Sequence, residues 1–461
     1  MRHVLIVMLL VSTAAWAQVT PAPAPAVKPS PAAKPAMPPR PVQIEQAVQR
    51  LITAPTSANL WPGFEPLKIP LAIYDGENTW LFRHPSPPAD FVSLSSQQGV
   101  FVKPGRLDGL VANTSMDIGG VNTGTLIADS AKERSPDEWA AIAVHEAFHV
   151  FQRARHPGWS GNEADLFVYP IDDANLLSLR RLETRGFEQA LATDEREVSA
   201  CWVRLALNLR NRRYAVMDAP FAAYERGTEL NEGLAAYVQM QAQGQFAIDW
   251  PPAEYAPAQV RQRAYTVGSA LALLLDRFSP TWRSAFESND KQTLDGALTQ
   301  AVGAGRVCAF EPALQAEEEQ IAARDIQELQ KERQRALEQL EAKPGWRLIV
   351  EAANGAPLWP QGFDPLNVVR IDGKRVLHTR FVKLGNDGGQ VEVIGAASLS
   401  EGLGAHPLFN GLKSLQITGL PPPTVQQVNG GAIITAQGLA LQFKKATATT
   451  SGETVRVVLL P

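Results

Sequence analysis

Cysteine is scarce. Cys201 and Cys308 are the only two in 461 residues, too few for a disulfide scaffold, so the fold must rest on hydrophobic cores. In an exported chain the pair could be bridged or could stay as two buried thiols. Cys201 lies on an apolar stripe with Val198, Trp202, Leu205 and Leu209, the spacing of a buried helix face, and neither cysteine points to a catalytic thiol. An excess of one charge is lacking too. The formal net charge is −4, which leaves no broad basic field and excludes nucleic acid as a partner. Beyond the N-terminus no stretch is long and apolar enough to cross a membrane. What the chain does have is 45% hydrophobic residues, over a length that calls for more than one domain.

The first residues, "MRHVLIVMLLVSTAAWAQ", read as an export signal over 1–17. Arg2 supplies the positive end, Val4 to Val11 the short apolar core, and Ala15-Trp16-Ala17 the small-residue cleavage site. A mature protein that is periplasmic or secreted is expected, with no transmembrane segment once the signal is removed. Residues 18–43 are Pro/Ala-rich and read as an extended tether. From 44 to 134 a short amphipathic helix leads into strand-like runs broken by Gly, Pro and Asp, a small β-rich unit. Helices are expected over 135–312, the first opened by the capping box Ser135-Pro136-Asp137-Glu138 and stopped before Pro157. Residues 313–343 read as one long charged helix, a strut packed within the chain along Ala322, Ile326, Leu329, Ala336 and Leu340, with Arg333 interrupting the seam. Residues 345–461 return to strands. The class is α+β. One local echo stands out: "LWPGFEPL" at 60–67 and "LWPQGFDPL" at 358–366, each followed by an apolar run ending in Asp-Gly. It is either a duplicated unit or a turn that arose twice.

The chemistry is concentrated in "AVHEAFHVFQ", residues 143–152. Positions i and i+4 share one helix face, so His145 and His149 can both aim a ring nitrogen at one Zn2+, with Glu146 beside it as a base. The helix is apolar almost all round, and polar groups on a buried helix need partners. A third ligand is required. His156, directly before Pro157, has the wrong spacing; "YERGTELNEGLAAYVQ" offers Glu225, Glu229 and Glu232 at i, i+4 and i+7, at least one of them turned inward toward a cation.

"HEAFH" and "NEGLAAY" resemble the gluzincin metallopeptidases, the group of thermolysin and the aminopeptidase N family, over roughly residues 60–280. The resemblance implies a zincin-like helical catalytic domain, a zinc peptidase, and Glu232 as the third ligand. Glu229 would then serve as an acceptor for a ligand histidine or a substrate amine, and Gly233 would allow close helix packing. "AYTVGSALALLLDRF" is similar to that family's Tyr-x-x-Gly helix start, which implies that Tyr265 stabilises the tetrahedral intermediate. On this basis Zn2+ held by His145, His149 and Glu232 activates a water, Glu146 is the general base, and the partner is a peptide or protein substrate. Two departures stand. His149 and Glu232 are 83 positions apart, farther than in the aminopeptidase branch. That branch's amine-anchoring Gly-x-Met-Glu-Asn motif is missing from 116–130, a run that can still supply an edge strand for a peptide. Arg180, Arg181, Arg185, Arg261 and Arg263 are candidates to hold a C-terminal carboxylate. The rival reading is an envelope binding or scaffold protein with a structural or catalytically idle zinc site, which would be closed by a fourth ligand.

Overall fold

Short apolar runs separated by Gly and Asp turns build the first sheet. The computed structural model describes residues 37–55, 59–94, 98–110, 112–129, 134–353, 356–364 and 367–460. The expected export signal and most of the tether lie outside them. Helix α1, Arg40–Thr53, already includes the last positions assigned to the tether, because Val42 joins Ile44, Ala47 and Val48 on its buried face. Strands β1 (Leu71–Tyr74) and β2 (Asn78–Phe82) form a hairpin. Its turn is set by Asp75, whose Oδ1 accepts from the amides of Glu77 and Asn78, and by Gly76 at φ +105°. With β3 (Val92–Ser93), β4 (Val100–Pro104), β5 (Thr114–Ile118) and β6 (Val121–Ile127), the sheet runs β3-β4-β2-β1-β6-β5. The β1–β6 pair is parallel and β5 is an edge strand.

The sheet buries Leu71, Ile73 and Leu126 in one core with α1 and the first half of α2, Pro136–Arg155. Helix α2 starts at the expected capping box, with Ser135 and Glu138 each bonding the other's backbone amide. Its second half enters the main helical core. There Trp61 meets Phe148, Trp159 and Trp282 edge-on, with ring centroids 5.6, 5.9 and 5.4 Å away. The remaining helices are α3 (Glu163–Val168), α4 (Ala174–Ala192), α5 (Arg196–Val216), α6 (Ala219–Thr228), α7 (Leu234–Ala242), α8 (Val260–Phe278), α9 (Trp282–Glu287) and α10 (Leu294–Val302). A π-helical turn, Glu229–Gly233, joins α6 to α7. Cys201 on α5 and Cys308 form a disulfide.

Helix α11, Pro312–Ala342, is the expected strut. Arg333 does not interrupt its seam. It is a buried member of it, paired with Asp172, and Asp172 also holds Arg370 at 2.8 Å. The end of α11 packs Leu337 and Leu340 against Ile371 and Leu377 of the C-terminal strands. Those strands form a seven-stranded and a six-stranded sheet whose inner faces share one core, including Leu348, Val376, Leu415, Val391 and Leu441. The echoed sequences take different shapes. Residues 60–67 form a turn and enter a 3-10 turn at Pro66–Lys68, with Trp61 buried. Residues 359–363 form a strand with Trp359 exposed. Only the Asp-Gly hairpin recurs: Asp372 Oδ1 accepts from the amides of Lys374 and Arg375 as Asp75 does from Glu77 and Asn78. The chain is α+β, and Arg40–Pro461 is one compact unit.

Candidate metal centre

Helix α2 buries His145 and Glu146 on its inner side. The π turn carries Glu232 opposite them. Nε2 of His145 and Nε2 of His149 are 3.1 Å apart, and Glu232 Oε2 lies 3.2 Å from His149 Nε2 and 3.6 Å from His145 Nε2. Ligand atoms around a tetrahedral zinc, with metal–ligand bonds of roughly 2.0–2.1 Å, sit about 3.4 Å from one another. The three edges therefore match the face of such a site. Oε2 is buried and has no hydrogen-bond donor, which leaves it free to bind a cation. Among the described residues no fourth His, Cys, Asp or Glu joins the group.

The surroundings fix the orientation of the ligands. The Gln152 side-chain amide donates to the carbonyls of Leu230 (2.9 Å) and Asn231 (3.0 Å) in the π turn. Its oxygen must then accept from His149 Nδ1, 2.9 Å away. His149 is thereby held with its proton on Nδ1 and its lone pair on Nε2, facing Glu232 and His145. On the other oxygen of Glu232, Arg261 donates at 2.8 Å, so only Oε2 is left for a ligand bond. Arg261 is in turn paired with Glu163 of α3 and lies over the Tyr265 ring. Tyr265 stacks nearly parallel to His145, with ring centroids 6.3 Å apart.

A close helix crossing brings these groups together. A Cβ on Gly233 would stand 2.6 Å from Gly268 Cα, so α8 passes the π turn in backbone contact. Ser269 Oγ adds a hydrogen bond to the Gly233 carbonyl at 3.0 Å. Tyr265 is one turn before Gly268 and Glu232 is next to Gly233, so this contact sets the distance between them.

The electrostatics follow from burial and neighbours. Burial raises the Glu146 carboxyl to about 7, and the nearby negative charge of Glu232 adds to the rise. Burial lowers His145. Burial also opposes protonation of His149, but the contact with Glu232 outweighs it and lifts this histidine above its ordinary value. Glu232 would be raised by burial, yet the close imidazoles of His145 and His149 hold it far below the carboxylate range. Tyr265 is pushed up by burial. A cleft of about 290 Å³ opens on this group, walled by His149, Gln152 and Glu232 on one side and by Thr114 and Ser115 of edge strand β5 on the other. Arg153 pins the Ser115 carbonyl at 3.0 Å.

No family model, curated protein or solved structure matches this chain.

Of the expected site residues, His145, Glu146, His149, Glu232 and Tyr265 come together here. Glu229 does not. It is buried in a two-point pair with Arg210 (2.6 and 2.9 Å) and touches neither histidine; the place behind His149 expected for it belongs to Gln152. Glu225 faces Arg213 and Arg263. The three glutamates do not share a face, because the wider π turn rotates Glu232 away from its two predecessors. Of the five arginine candidates, Arg261 is at the site and the other four are committed elsewhere. Arg180 donates to the carbonyls of Ala256 and Pro257; Arg181 and Arg185 pair with Glu318, and Arg263 with Glu183. Sequence reasoning missed Gln152 and the role of Arg261. Gln152 left one trace: a polar side chain three residues after His149, on the same side of the helix.

Proposed function

We propose that this chain is an exported zinc-dependent peptidase. The observation that carries the proposal is the convergence of His145 Nε2, His149 Nε2 and Glu232 Oε2, three donors with tetrahedral spacing and no fourth among the described residues. A structural zinc is closed by four protein ligands, whereas a catalytic one keeps a position open. The three-donor set therefore favours the peptidase over the scaffold reading. Zinc, when bound, supplies Lewis acidity and brings the pKa of water to about 7.

The chain's own groups would do the rest. A substrate strand pairs with the edge of β5, which lays its backbone along the cleft. Glu146, which burial tunes to about 7, can both take a proton from water as the peptide carbonyl is attacked and return it to the departing amine nitrogen. Tyr265, kept protonated by burial, donates to the oxygen that becomes negative. Gln152 and Arg261 hold His149 and Glu232 in place. The Cys201–Cys308 bridge supports an oxidising compartment, in keeping with the export signal.

The test is the zinc content of the purified mature protein beside Glu232→Ala. One zinc per chain, largely lost in the variant, is the expected result. Absence of zinc from the wild type after exposure to the metal would overturn the proposal.

A further inference from the structure

A second cavity lies apart from the metal cleft. A pocket of about 660 Å³ lies between α4, α5, the loop before α8 and the chain entering α11. Its size is that of a small-molecule site. Four aromatic side chains line it: Trp202, Trp250, Tyr255 and Phe310. Tyr255 and Phe310 are buried, and Trp202 and Phe310 meet with ring centroids 5.2 Å apart. The walls are fixed. The disulfide joins Cys201, the neighbour of Trp202, to Cys308, two residues before Phe310. The Tyr255 hydroxyl donates to Thr266 Oγ1 at 2.7 Å, and Arg181 holds the Tyr255 carbonyl.

Charge in the pocket is one-sided. Glu188, Glu254 and Glu311 line it against a single cation, Arg185. Arg185 is already used twice, by Glu254 at 2.6 Å and by Glu318 beneath the wall at 2.9 Å. Glu188 shares the charge of Arg185 with those two carboxylates, and no salt bridge to Glu311 is present among the described residues. Aromatic faces attract cations through their negative π surfaces, and an unbalanced carboxylate rim reinforces that attraction. Such a pocket disfavours anions and gives a neutral apolar molecule no use for its carboxylates.

We propose that this pocket, lined by Trp202, Trp250, Tyr255 and Phe310 and rimmed by Glu188 and Glu311, is a binding site for an organic cation. The ligand chemistry is an alkylammonium or guanidinium head, from a free small molecule or from the basic side chain of a peptide. The site is separate from the metal centre and does not rest on the peptidase proposal.

Calorimetric titration of the full mature protein tests it with three probes: choline, N-acetyl-arginine amide and the uncharged dimethylbutanol isostere of choline. Saturable binding of at least one cation, about tenfold or more tighter than the neutral isostere, is expected. Binding of choline alone would identify a free quaternary ammonium as the source; binding of the arginine amide, a basic side chain. Trp250→Ala and the charge-removing Glu188→Gln with Glu311→Gln should each weaken the cation several-fold. Glu311 is exposed and Glu188 half-buried, so the carboxylate variants leave the core untouched. Equal binding of the isostere, binding unaffected by all three substitutions, or no saturable binding of either cation would overturn the proposal.

Discussion

A histidine offers its lone pair to a metal only when the proton sits on the other ring nitrogen. For His149 that choice is made by Gln152, and Gln152 is itself fixed by two carbonyls of the π turn. The pair His145 and His149 was legible from spacing alone, since i and i+4 must share a face. Gln152 was not, because its role depends on a carbonyl pair that lies 78 and 79 residues downstream. Glu146 sits on the same helix as the two histidines, and burial lifts it to about 7. Glu146→Gln keeps the shape and removes the proposed base. It should retain zinc at wild-type stoichiometry and lower peptide hydrolysis by about 10²–10⁴-fold, the usual worth of general acid–base catalysis. Metal analysis and steady-state rates on the same preparation check both halves. Hydrolysis close to the wild-type rate would remove Glu146 from the mechanism.

At the scale of elements, amphipathic periodicity located α2, α4, α5 and α8 to within a few residues, because each buries one continuous face. Two features had no such signal. Strand β5, "TSMDI", lacks a strong apolar alternation and is held by its pairing with β6. The π turn continues α6 into α7 without a break in composition, and only its wider winding separates Glu232 from Glu225 and Glu229. The crossing of this turn with α8 sets where Glu232 stands against the two histidines. A Cβ at position 268 would fall 2.7 Å from Gly233 Cα and 2.8 Å from the Glu229 carbonyl oxygen, so the two helices would have to move apart. Gly268→Ala should cost about 1–3 kcal/mol as overpacking and also weaken zinc binding. Gly186→Ala is the control. It overpacks the α4–α5 contact, where a Cβ would be 2.9 Å from Ala206 Cβ, away from the metal residues. Thermal melts should show both variants destabilised, and zinc titrations should show only Gly268→Ala impaired. Equal zinc affinity in the two variants would mean that the crossing does not set the site.

For the whole molecule, composition shifts marked where helices give way to strands at Pro344, but not how the β-sandwich is attached. That attachment combines the apolar contact of Leu337 and Leu340 with Ile371 and Leu377 and a charged one, in which Asp172 binds both Arg333 of the strut and Arg370 of the sandwich. No periodicity could announce a pairing across 161 and 198 residues. The two parts also respond to acid differently. In the sandwich His378 is fully buried, bonded to Ser400 Oγ at 3.0 Å, and burial lowers its pKa to about 4. The folded state thus refuses a proton that the unfolded chain accepts near pH 6.5. Its contribution is complete above that pH and is lost as the pH falls toward 4. In the helical part Glu225 and Glu183 are held well below the carboxylate range; burial opposes their ionisation, but Arg213 and Arg210 outweigh it. Their contribution is complete above about 4.5 and is lost only in stronger acid. In the sandwich acid should therefore act first through His378. Between pH 7.5 and 5 the His378 term amounts to about 2 kcal/mol. Denaturant unfolding at the two pH values, with a chelator present throughout so that metal loss does not contribute, compares wild type with His378→Gln. The wild type should lose about 2 kcal/mol more than the variant over this interval. An equal loss in both proteins would assign the acid sensitivity to groups other than the buried histidine of the sandwich.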